Sequence, residues 1–474
     1  MIRHGLVGVM TGIGEGWGMS DKPLILWVRR DLRLGDQPML AAAVAAGAGF
    51  AAWHYFATPA GYSREVTRQA NDLQERIISF DSHVTLPLTF GTEGSEADKD
   101  GDGRFDLAKA ARGRLSGAAL TIFAWPESWT GDGGPHRPTP GFVEAARHTQ
   151  EVRYNAITAM VRDFPQQVGI AYTPQDMRRL HGEGKFAVFL SMLNAYALGD
   201  DIDQLDRWAA RGVRMFGFSY VGNNSWADSS RPLPFFNDTA DALDGLSPVG
   251  KRAVQRLNDL GVIIDVSQMS SKALAQAVAL SRAPVVASHS VPRAMVDIRR
   301  NLSDKELQLI KDSGGVVQLV AFSTYLKPLS SKTQDKLNAL RARYDLPPLA
   351  NLDYALMPGD PVIAGWPEQK VGQYANALYG ILEEEPPATL KDYGDAIDYT
   401  VRKIGIDHVG LSSDFNEGGG IDGWQNASEA RNVTAELISR GYSEADIAKL
   451  WGGNFLRVWE QVQRAAHPVA TSSP

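Results

Sequence analysis

The chain has 474 residues, 48 Lys and Arg against 55 Asp and Glu, a net charge of −7 and 44% hydrophobic residues. That is the balance of a folded globular protein rather than a disordered or collagen-like one. Its mildly acidic character supplies no broad basic surface for a phosphate backbone, which argues against nucleic acid as a partner. With no cysteine there is no disulfide scaffold, thiol nucleophile or Cys-ligated zinc, so any metal must sit on His, Asp, Glu or weaker oxygen ligands.

In chain order, the first unusual stretch is Gln37 to Ser63, which carries no Asp, Glu, Lys or Arg and follows the basic cluster Arg29, Arg30 and Arg33. Met39–Phe56, with Trp53 and Tyr55 near its edge, reads as a signal peptide or N-terminal anchor, and a buried Ala-rich helix is the competing reading. Just upstream, DKPLILWVRRDLRLGDQPMLAAAVAAG resembles the opening strand and helix of the DNA photolyase/cryptochrome family. Nothing later resembles that family's flavin-binding domain, so photolyase activity is not implied. The expected layout is a photolyase-like stub plus apolar leader over residues 1–65, a catalytic-type domain over 66–466 and a disordered tail over 467–474. The leader implies a periplasmic protein, or one attached to the membrane by its N-terminus and facing the exterior.

From Ile77 onward, short β-branched runs alternate with amphipathic helical stretches. The candidate strands are IISFDSHV, AALTIFAW, FAVFLSML, MFGFSYV, VIIDVSQ, VVASHS, VVQLVAF and HVGLSSDF. Eight such units predict an α/β fold, a single (β/α)8 TIM-type barrel with insertions, larger than the usual ~250 residues. A doubly wound open sheet is disfavoured because no Gly-rich phosphate turn follows its first strand. Helices are predicted over Gly141–Phe164, Asp203–Arg211, Pro248–Leu260, Ser271–Leu280 and Ser303–Asp312, the last opening on the capping pattern SDKE. Ser323–Pro367 reads as a long insertion that caps the pocket or builds a subunit contact. Asn426–Arg440 and Ser443–Ala465 read as surface helices.

Barrel chemistry sits at the C-terminal ends of strands, and there this sequence carries Asp81, His83, Asn194, Tyr220, Asn223, Asn224, Gln268, His289 and Asp414. Trp125, Trp129, Trp226 and Trp366 are candidates for an aromatic pocket wall, core packing being the alternative for each. DKDGDGRFDL places Asp98, Asp100, Asp102 and Asp106 at the first, third, fifth and ninth positions of a calcium-loop pattern, with Gly103 at the sixth and Lys109 at the twelfth. Without a carboxylate at the twelfth position a solvated acidic turn is preferred, and a weak calcium site at Asp98, Asp100 and Asp102 is the other reading.

The ordered motifs DSHVTLPL, LNAYALGD, GNNSWADSS, NDLGVIIDVSQMS, RAPVVASHSVPRAM, RRNLSDKEL and HVGLSSDF, from about Phe80 to Trp459, resemble the membrane (renal) dipeptidases, amidohydrolase-like metallopeptidases. The resemblance implies a barrel whose two zinc ions activate water to cleave a dipeptide, commonly in a homodimer that is secreted or membrane-attached. Carried over residue by residue, it keeps His83 as a metal ligand but puts Thr85 where the family has a carboxylate on the same metal. Leu193 stands at the carboxylate that bridges both metals, Tyr220 at a substrate-facing histidine and Gln268 at a histidine ligand. His289 and Asp414 match the family, and Arg300 matches the arginine that grips the substrate carboxylate.

Two zinc ions need about four ligands each and a shared anionic bridge. Leu193 cannot bridge, Thr85 is a neutral ligand and Gln268 offers only an amide oxygen, so the expectation is one zinc at most, on His83, His289 and Asp414. Three functions follow for a pocket that takes a small, carboxylate-bearing substrate. The first is a dipeptidase-like hydrolase with a mononuclear or absent metal centre. The second is a metal-independent lyase or isomerase in which Asp414 or His289 is the base, Tyr220 the acid and Arg300 the anion anchor. The third is a non-catalytic ligand-binding protein. In each, Arg300, Asn223, Asn224, Gln268 and Trp226 are the expected substrate contacts.

Overall fold

The computed structural model describes residues 6–13, 19–28, 61–125, 139–356 and 360–466. Met39–Phe56, Trp129 and the 467–474 tail lie outside the described residues. The chain divides into two compact units, Met1–Arg64 and Glu65–Pro474. In the first, β1 (Leu6–Ile13) pairs antiparallel with β2 (Met19–Val28), and β2 contains the LILWV run.

The second unit is built on eight parallel strands: β3 (Phe80–Val84), β4 (Gly117–Phe123), β6 (Phe186–Leu193), β7 (Met215–Gly217), β8 (Ile263–Asp265), β9 (Val286–Ser290), β10 (Val316–Val320) and β11 (Val409–Ser412). Seven fall inside one of the eight runs predicted from sequence, and β4 starts one residue before its run, at Gly117. They read as continuous apolar runs because both faces are buried, one by the barrel interior and one by helices. A ninth strand, β5 (Val168–Ile170), pairs with β6 outside the ring and was not predicted. Between β4 and β6 the backbones approach so closely at Gly117 that a Cβ there would lie 2.5 Å from the Ala187 carbonyl oxygen. The ring closes where Val84 bridges Phe415 and the Thr85 N–H donates to the Phe415 carbonyl at 3.1 Å.

Helices fill the connections. Pro248–Leu260 and Ser271–Leu280 have the predicted bounds, and Asp304–Asp312 opens on a complete capping box between Ser303 and Glu306. The C-terminal helix Asn454–Ala465 is not a surface helix. Its Phe455, Val458, Trp459 and Val462 pack against Phe80, Phe189, Met215, Ile263, Val286 and Val316, at or near the starts of the strands, and so plug the N-terminal end of the barrel. Between β10 and β11 the insertion folds into Ser323–Leu326, Ser331–Arg343, Asp353–Leu356 and Glu368–Leu382, with its own apolar core around Leu337, Leu340, Trp366 and Tyr374. Among the described residues no helix is long and apolar enough to cross a membrane.

Candidate active site

A cavity of about 500 Å³ opens at the C-terminal end of the barrel. Strand ends contribute His83, Leu193, Gln268, His289 and Asp414, the β7 loop contributes Tyr220 and Arg231, and Arg300 follows β9. Phe322 and Tyr325 at the start of the insertion, with Tyr379 and Leu382 from its last helix, form the far wall. The insertion therefore caps the pocket. Gln268 and Asp414 have φ of 69° and 57°, the left-handed region that non-glycine residues rarely adopt. Such backbone turns at two strand ends aim side chains into the mouth and are held by the surrounding structure.

The two histidines lie at the centre. Their rings stack, with centroids 3.9 Å apart and planes at 20°. His83 Nε2 is 3.7 Å from Asp414 Oδ1, and His83 Nδ1 is 3.4 Å from the Thr121 hydroxyl. His289 Nε2 lies 2.9 Å from Gln268 Nε2, and His289 Nδ1 2.7 Å from the Ser288 hydroxyl, which donates to Asp265 at 2.5 Å. A guanidinium can only donate, and Arg231 Nη2 bonds Gln268 Oε1, so the Gln268 amide must turn its NH2 toward His289. His289 Nε2 then accepts. The chain of donors fixes the ring as the neutral Nδ1–H tautomer, donating to Ser288 Oγ.

Burial dominates the electrostatics. It pulls His83 down to about 3, with Arg300 adding to the effect, and holds His289 well below the ordinary histidine range, so both rings are neutral at pH 7. It pushes Asp414 well above the usual carboxylate range, Glu417 to about 7 and Asp81 to about 7. The Tyr220 phenol is raised as well, chiefly by burial. Its ring packs against Phe123 at 4.5 Å and Trp125 at 5.1 Å.

Six of the polar residues singled out from sequence meet in the cavity: His83, Tyr220, Gln268, His289, Arg300 and Asp414. Leu193 sits among them in an apolar cluster with Phe123, Tyr220 and Val221. Asn223, Asn224 and Trp226 do not line it. The Asn224 amide braces its own loop, donating to the Phe218 carbonyl and accepting from the Trp226 and Ala227 N–H groups. Asn223 does the same with Thr239 and Ser229, and Trp226 is wholly buried with its indole N–H on the Gly199 carbonyl. These loop ties explain why the Asn-Asn-Ser-Trp stretch resembles a site motif without reaching the cavity. Trp125 lines the cavity, whereas Trp366 belongs to the insertion core. Sequence reasoning missed Arg231 and Glu417, which come from loops with no periodicity, and Tyr325, which comes from the four-residue helix Ser323–Leu326, too short to show one. The Lys109 ammonium sits among the oxygens of the acidic loop, bonded to the Gly101 carbonyl, to Asp106 at 2.5 Å and to Asp100 at 2.8 Å. Among the described residues no group of three or more His, Asp or Glu is disposed to hold a metal ion.

Relatives place this geometry. The profile of the membrane dipeptidase family, peptidase family M19, matches residues 67–473. Dipeptidase tcpJ of Claviceps purpurea is 25% identical over 373 residues, covering 78% of this chain and 71% of that protein. The crystal structure of the probable dipeptidase PvdM from Pseudomonas aeruginosa superposes with a TM-score of 0.84 at 73% identity, over 85% of this chain and all of that one. A metallopeptidase from Rhodobacter sphaeroides, solved with a phosphinate mimic of L-Ala-D-Ala, shares the fold with a TM-score of 0.59 at 21% identity, over 81% and 99% of the two chains. The profile and the barrel agree: the chain belongs to the membrane dipeptidase family.

Proposed function

We propose that this protein applies the dipeptidase pocket to a small, carboxylate-bearing substrate by acid–base chemistry, without assembling a two-zinc centre. The observation that carries this reading is the commitment of His289 Nε2 to the Gln268 amide, in a cavity that Leu193 also lines. A zinc-bound imidazole offers an in-plane lone pair to the ion at about 2.0–2.1 Å. The His289 lone pair is already used, and the near-parallel His83 and His289 rings direct theirs side by side rather than toward one point. Thr85 does not line the cavity, Leu193 has no oxygen, and among the strand-end residues that line it Asp414 is the one carboxylate. The donor set does not fit the binuclear group.

Without the metals, Asp414 and His83, 3.7 Å apart, are the central pair able to move a proton. Asp414, pushed up by burial, suits proton abstraction next to a carboxylate held by Arg300, with the Tyr220 hydroxyl as donor to the developing charge. This is the chemistry of an isomerase or lyase. A single ion between His83 and Asp414 is the second reading, favoured by their separation, and it lacks a third donor. Elemental analysis of purified protein, with dipeptide hydrolysis assayed with and without chelator, tests the proposal. Expected are less than one zinc per chain and hydrolysis at background in both arms, with exchange of solvent deuterium into the carbon next to the carboxylate of a bound acid. Two zinc ions per chain with chelator-sensitive hydrolysis would overturn it. The reading also takes residues 66–466 as the working domain and Met39–Phe56 as an export leader or anchor, checked by N-terminal sequencing of the protein recovered from the cell envelope.

A further inference from the structure

Three guanidiniums line the cavity: Arg104, whose Nη1 is held by the Gln425 carbonyl and side-chain oxygen, and the pair Arg231 and Arg300. Arg300 is 2% exposed, with Nη2 on the His289 carbonyl at 2.5 Å, Nη1 on Ser290 Oγ at 3.3 Å and its plane 5.2 Å from the Tyr325 ring centre. Arg231 donates from Nη1 to the Tyr325 hydroxyl at 3.0 Å and from Nη2 to Gln268, and lies 5.4 Å from the Tyr220 ring centre. The Nε–H of each of these two is buried without a partner. Among the described residues neither has a carboxylate within 4.0 Å. A desolvated charge left without a counter-charge is costly. The carboxyls nearest at hand are turned to other partners: Asp414 lies 3.7 Å from His83 Nε2, and Glu417 3.7 Å from Arg153. The two guanidiniums are left without a directly paired carboxylate.

We infer that Arg231 is a second anion anchor beside Arg300, so that the ligand of this pocket is an acid with two anionic groups, one on each guanidinium. The inference rests on the metal-free reading of the site. Of the five N–H donors of a guanidinium, Arg231 has two engaged by the protein. Gln268 and Tyr325 hold the group in place as a receptor, since neither neutralises it. Tyr325 also sets the spacing: Arg231 sits at its hydroxyl end and Arg300 over its ring, so the two cations stand a phenol apart and suit two separate carboxylates better than one shared between them. Between them Phe123, Trp125 and Leu193 offer an apolar wall for the body of the ligand.

The test is calorimetric titration of the full-length protein with L-alanyl-L-alanine, which has one carboxylate, and L-alanyl-L-glutamate, which has two, with zinc content measured on the same preparation. The expected result is tighter binding of the glutamate peptide by about tenfold or more, the scale of a charge-assisted hydrogen-bond pair. Arg231→Met should collapse that ratio to near one, Arg231→Lys should restore part of it, and Arg300→Met should weaken both peptides. Equal affinities in the unsubstituted protein, binding of neither peptide, or an Arg231→Met variant that keeps the ratio would overturn the inference, and the first two outcomes do not depend on any variant folding. Two zinc ions per chain together with a preserved preference would sink the metal-free reading alone. Little zinc and no preference would sink the second anchor alone.

Discussion

Where the barrel strands begin, Phe80, Phe189, Met215 and Val316 meet Phe455 and Trp459 in an all-apolar plug, with Trp459 set edge-on to Phe189 at 4.7 Å. Where the strands end, the same barrel buries two neutral histidines, two arginines without carboxylate partners and carboxyl groups pushed toward neutrality. The first end is complementary and stabilises the fold. The second holds charge at a cost, and such a cost persists where a ligand relieves it. The contrast also means that changes at Thr85, Leu193 or Gln268 would leave the plug intact, since none of the three belongs to it.

The contrast breaks most sharply at Trp459. Replacing it with alanine opens a large cavity in the plug and should cost about 3–5 kcal/mol, read as a lowered midpoint in chemical denaturation. An unchanged midpoint would mean that the helix Asn454–Ala465 lies on the barrel without holding it. Inside the barrel, one residue beyond Phe80, the sign should reverse. Asp81 is wholly buried, accepts N–H bonds from Ser413 and His83 through Oδ1, and leaves Oδ2 without a partner. Burial raises its pKa from 3.8 to about 7. A carboxyl raised on folding contributes stability that is fully present below its unfolded pKa and is lost as pH climbs through the folded one. Asp81→Asn should therefore match the parent near pH 4 and exceed it by about 2–4 kcal/mol at pH 8. Denaturation curves across that range check it, and parallel pH slopes for the two proteins would refute it.

Legibility in the sequence follows the same division. All eight barrel strands could be read because burial on both faces forces unbroken apolar runs, and β5 escaped because three residues carry no period. The helix Asn454–Ala465 shows why a correct element can be misplaced. Its apolar stripe is that of any amphipathic helix, and only the packed structure tells which surface covers the stripe. At the mouth, residues tied to strand ends, His83, Gln268, His289 and Asp414, were found by position. Asn223, Asn224 and Trp226 were drawn in by motif, although their polar atoms are used locally. Arg231 reaches the cavity through a loop and Tyr325 through the four-residue helix Ser323–Leu326, neither of which any spacing encodes, and the only signal for Arg231 is a cation in an otherwise uncharged stretch after Asp228.

The smallest expected effect lies on the rim, in the loop that carries Arg104 into the cavity wall. There Asp106 caps the helix Leu107–Gly113, accepting from the Lys109 N–H at 2.7 Å, while the Lys109 ammonium reaches back to Asp106, Asp100 and the Gly101 carbonyl. Deleting that ammonium leaves Asp106 with its capping N–H bonds, and Asp100 is more than half exposed, so its ion pair contributes little. Lys109→Ala should cost about 1–2 kcal/mol, well below the loss at Trp459. Because the ammonium already occupies the space between the loop oxygens, the melting temperature of the parent protein should not respond to millimolar calcium. Lys109→Glu removes the tethered cation and supplies the carboxylate missing from the twelfth position, so its melting temperature should rise when calcium is added. A calcium response in the parent equal to that of Lys109→Glu would mean that the ammonium is displaced by the ion, and that the rim is a cation site in its own right.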